Sequence, residues 1–340
     1  MHIPDGYLSP QTYIPLYGIM LPVWYWGSRI LKKTLNARQI PFLALGAAFS
    51  FVIMMFNIPI PGGSTGHAVG AALIAILLGP WAALMAVSMA LIIQALLFGD
   101  GGITAIAANC FNMAFIMSFS GYYIYKLLSL NSGSNIARRV FAASVAAYIS
   151  INLSAFFTAV EFGIQPYIAH KPDGTPLYGP YGLNVAVPIM TIEHLAFFGF
   201  VEALVTGLVV AYIAKTEPEM LNISTPALQT AADRPAFSKT AKRLWIGLAV
   251  LIILTPLGLI ASGTAWGEWG AEDLLAIFGF VPQGLKGLSN VWHSFFPDYS
   301  VPGMEGPLML AAGYILSALI ATGLIVLTAF VISRIMFRGR

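Results

Sequence analysis

The chain has 340 residues, of which 58% are hydrophobic and only 9% charged, against roughly 25% charge in soluble domains. Several uncharged apolar runs approach or exceed the ~18 residues that mark a membrane helix, which excludes a soluble globular protein and implies a polytopic, all-α membrane protein. The formal net charge of +3 says little until the charges are assigned to a side of the membrane.

The chain opens Met1-His2-Ile3-Pro4-Asp5-Gly6-Tyr7-Leu8-Ser9-Pro10. It has no basic stretch followed by a short apolar core and a small-residue cleavage site, so no removable signal peptide is read and Met1 is taken as the mature start. A bulky second residue such as His2 favours retention of the initiator methionine. The α-amino group, the backbone nitrogen of His2 and the His2 imidazole can then close two fused chelate rings around one ion, presenting their nitrogens in a plane. An all-nitrogen square plane suits Ni(II) or Cu(II). Because an amide nitrogen must lose its proton, affinity should depend on pH. One equatorial place remains for another donor. The competing reading is an ordinary disordered terminus. Pro4 and Pro10 stiffen the backbone on either side of an Asp5-Gly6 turn.

Membrane helices are predicted at residues 13–31, 41–58, 68–78, 81–98, 103–128, 140–160, 188–214, 244–261 and 308–332, about nine in all. With the amino terminus outside and the carboxyl terminus in the cytoplasm, every Lys and Arg except Lys171 and Lys286 falls on the cytoplasmic side, Arg38, Arg234, Arg338 and Arg340 included. That asymmetry fixes the orientation by the positive-inside rule.

The same orientation puts the loop Pro59-Ile60-Pro61-Gly62-Gly63-Ser64-Thr65-Gly66-His67 on the side of Met1 and His2, which makes the His67 imidazole a permitted fourth nitrogen. A solvated surface histidine is the alternative. Glycines at 62, 63 and 66 allow close backbone approach, and the run after them is too short to span before Gly79-Pro80. Interrupted segments of this kind often mark the binding site of a transporter.

Farther along, Asp100-Gly101-Gly102 makes an outer turn. Asn109 and Asn112 share one helix face, either orienting the binding loops or, as expected here, pairing helices. Cys110, the single cysteine, reads as a small buried hydrophobe. The outer connection 161–187 is long and rich in Gly, Pro and Tyr, and is read as a cover over the site, with His170 solvated. Glu193-His194 and Glu202 lie in an apolar segment where ionisable groups need partners or a cavity. A second metal site or transient acceptor is one reading of them, and structural pairing is the one expected. Residues 216–243 turn abruptly polar and read as a cytoplasmic linker between a unit at 1–215 and a two-helix unit at 244–340 whose outer segment carries Glu268, Glu272, Asp273 and His293. These four are either a metal-attracting patch or, as expected here, a solvated face.

The opening MHIPDGYLSP, the loop GGSTGHAVG at 62–70 and the run LLFGDGGITAIAANCFNMA at 96–114 closely resemble the CbiM/NikM family. Its members are the substrate-binding (S) components of energy-coupling-factor (ECF) transporters that import nickel or cobalt. The resemblance implies a seven-helix S-component bundle over about residues 1–215, an amino end tucked back into the membrane body, and Met1, His2 and His67 as metal ligands. It implies a prokaryotic cell membrane as location, with a transmembrane coupling (T) protein and two cytoplasmic ATPase subunits as partners. The stretches 267–273 and 297–303 are similar to the small accessory subunit CbiN/NikN, here fused to the carboxyl end, and its outer segment should then contact the loops over the metal site.

The chain has no Walker A pattern, nucleophile elbow or HExxH motif, so no enzyme activity and no cofactor are expected, and nothing points to nucleic acid. The transported ion is expected to be Ni(II) or Co(II). Small residues such as Ala44, Gly46, Ala47, Ala48, Gly70, Ala71 and Ala75 offer close-packing surfaces for the coupling protein or for neighbouring helices. The rival readings are a membrane metal sensor that does not transport, and a proton-coupled carrier using Glu193, His194 and Glu202 as its relay.

Overall fold

A computed structural model of the protein describes residues 1–34, 40–130, 135–221, 235–261, 263–289 and 291–337. Arg38, Arg234, Arg338, Arg340 and linker residues 222–234 lie outside the described residues. The chain is an all-α polytopic membrane protein. Among the described residues five helical stretches are long and apolar enough to cross a bilayer: Pro80–Phe98, Ile136–Ile168, Leu183–Thr216, Lys239–Ile260 and Pro307–Ile332.

Helix α1 (Pro10–Thr34) carries Pro15 and Pro22 inside it and ends on Lys32 and Lys33, cations that suit a helix carboxyl end. Helix α2 (Ile40–Met54) is apolar on all sides and buried among neighbours. The predicted span 41–58 overshoots, because Ile58–Pro59 (β1) leaves the helix to pair antiparallel with Thr65–Gly66 (β2). This small hairpin presents His67. Gly70, at φ 75°, then turns the chain into the eight-residue α3 (Ala71–Leu78), which stops at Gly79 before Pro80 opens α4 (Pro80–Ile93). The short, interrupted segment predicted here is present.

Helix α4 finishes in a π-helical turn, Gln94–Phe98. After the Asp100 turn the chain forms α5 (Ile106–Asn109), a π segment Cys110–Ile116 and α6 (Met117–Leu128). Helix α7 (Ile136–Gly163) is central, packing against α3, α6, α9 and α10. A short α8 (Gln165–Ile168) begins the next connection. The following rod is built from α9 (Leu183–Glu193), a π turn His194–Phe198 and α10 (Gly199–Thr216).

In the second unit α11 (Pro235–Leu254) starts earlier than the predicted 244, since hydropathy marks only the part in lipid and the charged turn around Lys239, Lys242 and Arg243 is helical too. Short helices α12 (Ala271–Phe278) and α13 (Gln283–Leu288) follow, and α14 (Pro307–Phe337) closes the fold. Helices α11 and α14 both pack on α2. The segment between them lies over the end of the bundle that carries Met1, touching the hairpin and the arm as set out below.

Candidate metal centre

Residues 1–9 form no helix or strand, yet they are among the most buried of the chain. Ile3, Tyr7, Leu8 and Ser9 are essentially inaccessible, so their main-chain polar groups must find protein partners. Asn109 supplies two: its Oδ1 accepts from the Ile3 N–H at 2.8 Å, and its Nδ2 donates to the Ile3 carbonyl at 3.2 Å. Gly102 N–H donates to the same carbonyl. The Asp5 carboxylate accepts from the N–H groups of Ile103 (2.9 Å) and Thr104 (2.8 Å) and from the Thr104 hydroxyl. A Cβ at Gly102 would collide with Asp5 backbone nitrogen, so a glycine is what lets the arm lie against this turn. Gln165 Oε1 takes the Ser9 N–H, and the Tyr7 carbonyl takes Gly179 N–H.

This path delivers Met1 and His2 to the hairpin. The His2 and His67 rings lie 5.1 Å apart, tilted by 42°, and Met1 and His67 line one small cavity. The exposure of His2 is 2% and that of His67 8%. Burial, aided by the nearby terminal ammonium, pushes the His2 imidazole down to about 3, and burial with the neighbouring His2 does the same to His67. Both rings are therefore neutral, with a lone pair available to a metal. The Nδ1 of His67 is 3.1 Å from the Ala68 carbonyl, which assigns the proton to Nδ1 and the lone pair to Nε2.

The carboxylates here do different jobs. Glu268 Oε1 sits 3.2 Å from the Met1 amine, so this residue belongs to the centre and not to a solvated face, whereas Glu272, Asp273 and His293 are exposed. Asp100 Oδ1 lies 3.1 Å from His2 Nδ1, and His2 Nε2 is buried with no hydrogen-bond partner among the described residues. Only Nδ1 can close a ring with the residue's own backbone nitrogen, so chelation needs His2 to exchange Asp100 for the ion and the amine to leave Glu268. Glu202 accepts from Val69 N–H (2.7 Å) and Gly70 N–H (2.9 Å), tying the turn after His67 to α10. It is a structural partner, as expected.

Asn109 and Asn112 divide the two roles offered to them. Asn109 holds the arm, contrary to the expected helix pairing, while Asn112 Nδ2 donates to Glu161 on α7 at 2.8 Å and does pair helices. Cys110 is buried, and His170 is exposed with its ring on the Lys171 carbonyl. Sequence reasoning did not single out Asp5, Asp100 and Tyr299 as supports of the centre. Their only signal was an acidic or phenolic group beside apolar runs. Among the described residues no three His, Cys, Asp or Glu side chains converge to hold an ion. A site built on Met1, His2 and His67 thus differs from a side-chain cage in drawing on main-chain nitrogen.

The segment above the centre is bonded to it throughout. Tyr7 Oη donates to the Trp269 carbonyl, Tyr181 Oη to the Gly267 carbonyl, and Trp266 N–H to Ser64 Oγ. The family model for the cobalt uptake substrate-specific transmembrane region, CbiM, matches residues 2–220, and that for the PDGLE domain matches residues 240–338. The chain belongs to the CbiM family. It is 46% identical to the fused nickel transport protein NikMN of Rhodobacter capsulatus, covering 96% of this chain and 95% of that one. It is 42% identical to the probable fused nickel transport protein LarMN of Lactiplantibacillus plantarum, over 94% of each. A crystal structure of a truncated transition metal transporter superposes with a TM-score of 0.59 and 52% identity, covering 63% of this chain and 99% of that one. This CbiM family member thus carries a CbiN-like PDGLE unit on the same polypeptide, a multi-pass membrane protein of the class that serves transition-metal uptake.

Proposed function

We propose that this protein is the substrate-binding component of an ECF-type importer in a prokaryotic cell membrane, capturing Ni(II) or Co(II) on the outer side. The amino terminus faces outside, and a coupling protein with two cytoplasmic ATPases supplies the drive. The ion is held by the Met1 amine, the backbone and side-chain nitrogens of His2 and the His67 imidazole in a roughly planar four-nitrogen set. The observation that carries this reading is the inward fold of residues 1–9, by which the His2 and His67 rings lie 5.1 Å apart and Met1 and His67 line one buried cavity. The fused relatives are named for nickel, which favours that ion. Copper binds nitrogen donors at least as tightly, so selectivity rests on the rigidity of the arm and on metal availability.

During capture the Met1 ammonium would leave Glu268 and lose a proton, His2 Nδ1 would leave Asp100 with its proton moving to Nε2, and the His2 amide would lose its proton to the medium, so that binding releases protons. Release follows when the whole component reorients against the coupling protein and its loops open. The deciding experiment adds one residue before Met1 in the full-length protein. Ni(II) binding, read as retained metal and as the visible spectrum of a planar site, should fall beyond a hundredfold while folding and insertion persist. Retained binding would contradict the chelate.

A further inference from the structure

Glu193 and His194 are an ionisable pair near the centre to which the proposed chelate gives no task. The eleven-residue α9 ends on Glu193, about 16 Å along the rod at 1.5 Å per residue. The 34-residue span Leu183–Thr216 is about 50 Å long, so the pair stands about a third of the way along the rod. Glu193 is half-buried and His194 is 4% exposed. A π-helical turn begins at His194, a feature concentrated at functional sites. His194 Nδ1 is fixed on the Met190 carbonyl at 2.8 Å, and its Nε2 has no hydrogen-bond partner among the described residues. Both side chains line the cavity of about 10 Å³ that Met1, His67 and Trp266 also line, a volume close to one water-sized sphere.

We infer that Glu193 and His194 form an encounter site through which a divalent transition-metal cation passes on its way to Met1, His2 and His67. This rests on the proposed chelate as the destination. Carboxylate and imidazole are both acceptable donors to Ni(II) and Co(II). With no third His, Cys, Asp or Glu gathered beside them among the described residues, they hold an ion too weakly to store it. A passage requires that balance, since an ion must be attracted enough to enter and released easily enough to leave. The graded exposure gives the order of events: Glu193 meets the hydrated ion, His194 takes a coordination place as water is shed, and the ion then moves across the shared cavity to the amine and His67.

The test is stopped-flow mixing of the full-length protein, in lipid nanodiscs, with Ni(II) chloride. For Glu193→Gln and for His194→Gln, association and dissociation should slow together by about tenfold, because a destabilised intermediate obstructs both directions equally. The association rate of the unaltered protein should fall with added salt, and that dependence should flatten in Glu193→Gln. Glu193→Asp, which retains the charge, should recover most of the rate and guards against a merely structural effect. Unchanged rates in both Gln variants would overturn the encounter site. So would faster dissociation with unchanged association, which would make the pair equilibrium ligands. The residue added before Met1 separates the two readings: if it leaves binding intact the chelate fails, whereas the encounter site fails only on the rate comparison.

Discussion

The arm at residues 1–9 and a second-unit cover, the outer segment at residues 263–289 and 291–306, meet at the same centre but are held by different kinds of bond. The arm is tied by side chains of the bundle and by its own carboxylate: Asn109, Gln165 and Asp5 make the decisive hydrogen bonds. The cover is tied mainly through main-chain groups and rings. Gly284 N–H donates to the Leu177 carbonyl, Phe296 N–H to the Leu97 carbonyl, and the Tyr181 and Trp266 rings lie 4.6 Å apart. Much of its apolar surface, including Leu275, Ile277, Val291 and Phe295, stays exposed. Buried side-chain anchors fix an atom's position, whereas a surface held by main-chain contacts and partly exposed rings opens at lower cost. In the proposed chelate the arm thus sets where the ligand atoms are, and the cover sets how they are reached.

The largest effect should come from cutting the arm's own anchor. Asp5→Ala removes three hydrogen bonds and leaves the Ile103 and Thr104 N–H groups unpaired, each costing about 1–3 kcal/mol. Ni(II) affinity, measured by competition with a chromophoric chelator, should fall about a hundredfold. Asn109→Leu should cost somewhat less, because it strands the Ile3 N–H, one residue from His2, while the Ile3 carbonyl keeps Gly102 N–H. If neither variant moves affinity, the arm does not position the ligands and the contrast collapses.

Glu202 comes next. Glu202→Ala strands the N–H groups of Val69 and Gly70, and the loss of such a support for a ligand typically costs ten- to a hundredfold in metal affinity. Glu202→Gln keeps one acceptor oxygen and should fall between Ala and the unaltered protein. A loss shared equally by the two variants would show that the charge matters and the hydrogen bonds do not.

Much of this was legible in the sequence. The apolar runs located the helices, Gly79-Pro80 ended the short segment, and the chelate read from Met1, His2 and His67 anticipated the closeness of the His2 and His67 rings. The supports were not legible for a physical reason. Asp5 reads as a turn residue, and only the three-dimensional path shows that it caps the Ile103–Thr104 turn some hundred positions away in the chain. Glu268 sits among other acids and reads as a solvated face, because nothing local distinguishes the one carboxylate that meets the amine from its exposed neighbours. Ile58 reads as helix because hydropathy cannot separate the last turn of a helix from a short, half-buried strand.

The smallest effect on affinity should come from the cover, and Tyr299 is the place to measure it. Its hydroxyl donates to Asp100, which in turn contacts His2, and it accepts from Gln94 Nε2 at 2.9 Å. Its backbone is left-handed, at φ 60° beside Asp298 at φ 50°, an uncommon conformation for residues with a side chain that Ser317 Oγ helps hold by donating to the Tyr299 carbonyl. Tyr299→Phe keeps the ring packed against Phe51 and Phe98 and deletes only the hydroxyl, a change worth about 1 kcal/mol, or roughly fivefold in affinity. Because Asp100 must release His2 before the chelate can close, a carboxylate with one partner fewer should hold His2 more firmly. Association should therefore slow while dissociation stays nearly constant. A loss as large as that of Asp5→Ala would make the second unit part of the ligand-positioning machinery, and the division between arm and cover would have to be abandoned.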